Sequence, residues 1–228
     1  MATLRPEPTT EHAPPCAGKL LGTALTVSHA LARGFGLPPD AFTSRMNLGP
    51  HLLAPTGSDL GQHNAIGTVF AGYHTDLNFL TLHGKSRFPG LFVWLRDGRR
   101  VPVRIPQGCI LIQAGKQLEW LTGGHVKAGF HEVVVTQDTR DALAAAQAAG
   151  RSCWRVSSTV FSHVASDQVL QPLGRFGQVG RGPCCAVCCV LRAAWVCDVC
   201  AARCTAVVAL PRCITLLGVA DRFVCQLS

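Results

Sequence analysis

From Thr43 to Phe161 the chain runs in short stretches rich in β-branched and aromatic residues, separated by turn signals, and helical periodicity is largely absent. That pattern predicts a mainly β domain. Strands are expected at 45–53, 66–73, 77–83, 117–121, 126–136 and 153–162. The clearest pair is Leu91 to Leu95 with Val101 to Ile105, closed through Arg96-Asp97-Gly98-Arg99, where Asp-Gly supplies the positive φ of a tight hairpin turn. Pro102 marks its strand as an edge or a bulge, and Cys109 to Gln113 follows the turn Pro106-Gln107-Gly108. About eight such strands suit a jelly roll.

Helical signals flank and interrupt this series. Lys19 to Arg33 reads as an amphipathic helix that ends at Gly34, where the chain turns into Gly36-Leu37-Pro38-Pro39. Asp141 to Ala149 is alanine-rich, can be capped by Asp138 or Thr139, and is stopped by Gly150. The expected organisation is a loose tail over 1–17, a jelly-roll domain over 18–176 and a cysteine-rich tail over 177–228.

Composition narrows the class. Hydrophobic residues make up 48% and charged residues 15%, which fits a folded chain rather than a disordered one. The net charge of +8 would suit a polyanion, yet the basic residues are scattered singly and never alternate with stacking aromatics, which argues against nucleic acid. The first fifteen residues are polar and proline-rich where a secretory signal would need an apolar core, so a cytoplasmic location is expected. Arg192 and Pro211-Arg212 interrupt the two apolar stretches near the C-terminus, which excludes a membrane span there. Nothing in the sequence sets an oligomeric state.

The candidate chemistry lies in His74, Asp76 and His131. Two imidazoles and one carboxylate can occupy a single face of a ferrous ion and leave its other positions open. A His-x-Asp triplet alone is weak, because a lone histidine is more often a hydrogen-bonded structural residue. Its surroundings are more specific: Gly72-Tyr73-His74-Thr75-Asp76-Leu77-Asn78-Phe79-Leu80-Thr81-Leu82, then Gly115-Lys116-Gln117-Leu118-Glu119-Trp120-Leu121-Thr122-Gly123-Gly124, then Ala128-Gly129-Phe130-His131-Glu132-Val133-Val134.

Over about residues 20–176 this sequence closely resembles the isopenicillin N synthase-like branch of the iron(II)/2-oxoglutarate-dependent dioxygenases. The resemblance implies a double-stranded β-helix, a form of jelly roll, in which His74, Asp76 and His131 hold Fe(II). It also implies that Arg155 and Ser157, which look like the family's Arg-x-Ser, hold the carboxylate of 2-oxoglutarate; a guanidinium fork suits that task. The implied activity is that of a non-haem iron oxygenase, which couples oxidative decarboxylation of 2-oxoglutarate to oxidation of a small organic substrate by dioxygen. Phe79, Phe92 and Trp94 are expected among the apolar walls, and His83, His125 and His163 as structural residues.

Three departures from the family's pattern stand out. Arg45-x-Asn47-x-x-Pro50 is similar to a strand of the plant members, but Gly49 stands where their cosubstrate-binding tyrosine would be. The interval from His131 to Arg155 is about twice the usual one, the excess being the alanine-rich helix. Arg140 lies at the conventional spacing but lacks the following serine, so Arg155 is preferred.

Nine of the twelve cysteines fall between Cys184 and Cys225. Cys185-x-x-Cys188 and Cys197-x-x-Cys200 could hold a structural zinc, although the segment between them lacks the glycines that shape zinc ribbons. Two further readings stay open: an oxidase that does not use 2-oxoglutarate, as in isopenicillin N synthase itself, and a truncated, non-catalytic jelly roll whose tail binds zinc or a partner.

Overall fold

In the computed structural model, which describes residues 15–177 and 215–217, the β-rich segment forms two sheets. The chain order is α1 (Pro15–Gly34), α2 (Thr43–Met46), β1 (Leu52–Asp59), β2 (Val69–His74), β3 (Leu80–His83), β4 (Leu91–Trp94), β5 (Arg100–Pro102), β6 (Leu111–Ala114), α3 (Lys116–Leu121), β7 (His131–Val134), α4 (Gln137–Ala148), β8 (Trp154–Ser162) and β9 (Thr215–Leu217). One sheet has the order β1-β8-β3-β6-β9 and the other β2-β7-β4-β5. The chain shuttles between them, all pairings are antiparallel except β6 with β9, and the result is the jelly roll expected from the sequence.

Alternation along β3 decides which face of the larger sheet meets the helices. Leu80 and Leu82 are fully buried with Ile112 and Ala114 of β6 in a cluster that includes Ala24, Val27 and Ala32 of α1 and Phe42 and Met46 beside α2. Burying side chains such as Leu80, Leu82 and Ile112 contributes about 1.5–3 kcal/mol each. The intervening residues Thr81, His83 and Gln113 point the other way, between the sheets. The space between the sheets is therefore polar on one wall.

A second cluster of Leu60, Phe88, Val135, Leu143 and Ala146 seats α4 against the end of the barrel. Thr136 caps this helix, and its N–H donates to Thr139 Oγ1 at 3.0 Å. The helix thus begins before the expected Asp138 or Thr139 cap. Gly150 ends it at φ +60°, a left-handed conformation that glycine adopts at no steric cost. The expected hairpin turn forms, with Gly98 at φ +81° and Leu95 N–H donating to Arg99 O at 2.9 Å, but its second strand covers Arg100–Pro102 rather than reaching Ile105. Pro102 and Pro55 both lie on edge strands, where a missing donor costs the ladder nothing.

Two expected strands are corrected. Residues 117–121 form α3, because Leu118 and Leu121 share one buried face and Lys116 pairs with Glu119 one turn on at 3.0 Å. In 45–53, Thr43–Met46 is a helical turn and the strand starts only at Leu52, continuing to Asp59. The tail cysteines from Cys184 to Cys225, with their possible zinc site, lie outside the described residues, as does most of the expected 1–17 tail. Among the described residues no helix is long and apolar enough to cross a membrane.

Candidate metal centre and cavity

His74 closes β2 and His131 opens β7, and the two are direct partners across the antiparallel ladder. Two register shifts on β2, between Val69 and Ala71 and between Ala71 and His74, bring them opposite each other. Asp76 follows in the turn out of β2. Its Oδ1 lies 3.7 Å from Nε2 of His74 and 3.8 Å from Nε2 of His131. The three ligand atoms all lie within 4.8 Å of one another, close enough to converge on one metal ion. Asp76 and His131 are buried while the His74 side chain is 45% exposed, so the centre is open on one side.

Each of these groups is held by a second partner that leaves the inward atom free. Nδ1 of His74 donates to Gly72 O at 2.6 Å and Nδ1 of His131 to Gly129 O at 3.3 Å, which puts the lone pair of each ring on Nε2. The Thr81 hydroxyl lies 2.6 Å from Asp76 Oδ2 and 3.1 Å from Asn78 Oδ1. A hydroxyl has one proton to give, and the shorter contact, to Asp76, takes it. The backbone N–H of Lys116, at the start of α3, donates to Asp76 O at 2.9 Å, and that of Gln117 to Asn78 O at 3.1 Å. Burial pushes the His131 imidazole below its ordinary pKa, against the opposing pull of Asp76, a shift in the direction of the neutral ring that metal binding requires.

The triad opens onto a cavity of about 540 Å³ between the two sheets, large enough for a small organic molecule. Arg155 and Ser157 line the same cavity. They alternate inward on β8, opposite Ser58 and Thr56 of β1. Arg155 is buried, forms no ion pair among the described residues, and its Nε has no hydrogen-bond partner there. Burial lowers its pKa, but guanidinium remains charged at any ordinary pH. A buried cation without a counter-ion costs several kcal/mol, a cost that an anion entering the cavity would offset. Apolar Ala71, Leu91, Val103, Ile105 and Val133 complete the wall, and Lys85, Arg87 and Arg104 stand at the mouth.

Several expectations from the sequence are redirected. Arg140 is on the exposed face of α4 and does not reach the cavity. Phe79 is in the cluster beneath α1, Trp94 packs edge-on to Tyr73 on the far face of the smaller sheet, and Phe92 lies under the Arg100 guanidinium, so none is a cavity wall. A Cβ on Gly49 would come within 2.5 Å of His163 O, so this position holds the backbone close to its neighbour rather than offering a side chain to the cavity. His125 packs between Phe35 and Phe176, and His163 N–H donates to His51 Nδ1 at 3.0 Å, both away from the centre. His83, read as structural, instead lines the cavity. The alternation of Leu80 and Leu82 with Thr81 and His83 was the signal for it.

The sequence over residues 42–164 matches the 2OG-Fe(II) oxygenase superfamily. No curated protein sequence matches the chain. Among solved structures, a Caulobacter crescentus protein described as a 2OG-Fe(II) oxygenase family member is 29% identical, with a TM-score of 0.56, over 69% of this chain and 48% of its own. The full-length Neurospora crassa protein crystallised with alpha-KG and 5-formyluracil is 21% identical, with a TM-score of 0.57, over 68% and 48%. Dioxygenase for auxin oxidation 1 from Arabidopsis thaliana, as its 2-oxoglutarate complex, is 21% identical, with a TM-score of 0.55, over 68% and 53%. The chain thus spans about half the length of these proteins, and the last two likenesses bear on the fold alone.

Proposed function

The chain belongs to the 2OG-Fe(II) oxygenase superfamily, whose cofactors are Fe(II) and 2-oxoglutarate, and from that premise we propose that it oxidises a small organic substrate with dioxygen while decarboxylating 2-oxoglutarate. The observation that carries this reading is the shared cavity: three converging ligand atoms on one wall and, on another, a buried guanidinium without a counter-ion among the described residues.

The donor set fits the metal. Two neutral imidazole nitrogens and one carboxylate oxygen suit Fe(II) and leave open positions on the ion. His74, Asp76 and His131 would hold it, and the bound ion would supply the redox chemistry with dioxygen. Arg155 and Ser157 fit the distal carboxylate of 2-oxoglutarate, since a guanidinium and a hydroxyl together donate several charge-assisted hydrogen bonds. The gap between the sheets orients the cosubstrate between these anchors and excludes water from its buried end. The open side at His74 admits the substrate to the centre.

The test is anaerobic addition of Fe(II) and then 2-oxoglutarate to the full chain. The expected result is a weak visible charge-transfer band that is absent from His74→Ala, together with substrate-independent release of CO₂ in air. A chain that binds neither Fe(II) nor 2-oxoglutarate would sink the proposal.

A further inference from the structure

Building on that reading, we infer that His83 is a positioning residue for the cosubstrate carboxylate, acting through the hydroxyls of Thr159 and Ser157. The register of β3 against β8 sets His83 directly across from Thr159. Ser157 and Arg155 follow on β8 at alternate positions, so the four side chains share one face, and all four line the cavity. His83 Nδ1 lies 3.5 Å from Thr159 Oγ1, and Thr159 Oγ1 lies 3.2 Å from Ser157 Oγ. Polar groups therefore run in a row from the imidazole through Thr159 to Ser157, with Arg155, which has no ion pair among the described residues, at the next inward position of β8.

Such a row has a direction. Each hydroxyl carries one proton and two lone pairs, so the proton order along the row is set at its end. With the proton on His83 Nδ1, the imidazole donates to Thr159 and Thr159 donates to Ser157. The Ser157 hydroxyl, already accepting, then has its own proton free to give to an anion beside Arg155. With Nδ1 unprotonated the order reverses, and Ser157 turns lone pairs toward the anion. The tautomer of His83 thus decides whether Ser157 attracts or repels a carboxylate.

A role confined to filling the wall fits the position poorly. Nε2 of His83 is buried, and among the described residues its polar neighbour is the Gln113 side chain, which makes no well-aligned hydrogen bond to it, a cost that an apolar residue would avoid. Its cross-strand partner on β6 is Leu111, so a leucine at position 83 would meet an apolar neighbour. The other ring nitrogen, Nδ1, is the one that faces the row of hydroxyls.

The test is calorimetric titration of 2-oxoglutarate into the full chain loaded with Mn(II), which accepts the same donors and does not turn over. His83→Leu should bind 2-oxoglutarate about tenfold more weakly, the effect of one misdirected hydrogen bond to a charged group. His83→Asn, which restores a donor near the Nδ1 position, should recover to within about threefold of the parent. Mn(II) affinity should be the same in all three proteins. The inference is overturned if His83→Leu binds 2-oxoglutarate like the parent, if His83→Asn fails to rescue it, or if Mn(II) affinity falls, which would make His83 a support for His131. Arg155→Ala separates the two levels. Lost binding there with none lost in His83→Leu removes only the role of His83, whereas unchanged binding in Arg155→Ala removes the carboxylate site itself.

Discussion

The hydroxyl of Thr81 donates to Oδ2 of Asp76 at 2.6 Å, and so assigns the other oxygen, Oδ1, to the two imidazoles. Both groups are buried, and the bond fixes the carboxylate plane before any metal arrives. Thr81→Val removes the donor at nearly constant volume. Metal affinity should fall about 10- to 100-fold, the usual effect of deleting a partner of a metal ligand, and Thr81→Ser should restore most of it. Competition with a chelating dye would measure this directly.

Arg155 should make the empty protein less stable than it could be. Arg155→Met roughly keeps the length of the side chain, removes a buried charge that has no counter-ion among the described residues and should raise the stability of the ligand-free protein by about 1 kcal/mol or more. The same variant should lose 2-oxoglutarate binding. Thermal melts with and without 2-oxoglutarate would show the crossing: a higher Tm without ligand and no ligand-induced rise.

Histidines make the metal-free fold sensitive to mild acid. Burial lowers the pKa of His83 to about 4, and it lowers those of His51, His125, His131 and His163 as well. Between the ordinary value near 6.5 and the folded value, the unfolded chain binds the proton more readily, so stability is full above about pH 6.5 and declines as pH falls toward 4. His83 alone contributes at most on the order of 2 kcal/mol to this loss at pH 5. Melts of the metal-free protein at pH 7.5 and 5 should differ, and should differ less in His83→Leu. A pH-independent Tm would contradict the burial assigned to these rings.

Gly115 is where the loop bearing Asp76 meets the start of α3. A Cβ there would lie 2.0 Å from Asn78 O, inside any permissible contact. Gly115 N–H also donates to Phe79 O at 3.0 Å, so the two backbones are bonded as well as touching. Gly115→Ala should lower stability by several kcal/mol and weaken metal binding together, because relief of the clash moves Asp76. Parallel Tm and metal titrations would check that the two losses are coupled.

Much of the site was readable because its signals are local. His74 and Asp76 are near neighbours in one turn, Arg155 and Ser157 alternate on one strand, and Asp97-Gly98 marks a hairpin by its own backbone chemistry. The cavity walls were not readable, since whether Phe79 or Val133 faces the metal depends on how two sheets stack. The same holds for α3: its six-residue apolar and polar pattern fits a strand or a helix, and hydrogen bonds to Asp76 and Asn78 in the loop between β2 and β3 decide between them. His83 fell between these cases, with a legible alternation but no local sign of the hydroxyls across from it.

The two register shifts on β2 mean that the placement of His74 opposite His131 depends on residue count as well as on contacts. Side chains at Phe70 or Ala71 can change and leave the count intact. Removing or adding one residue between Val69 and His74 cannot, because it turns the imidazole to the opposite side of the sheet. Mutational tolerance in this strand should therefore be split by kind, with substitutions often accepted and single-residue deletions or insertions abolishing metal capture even where the protein still folds.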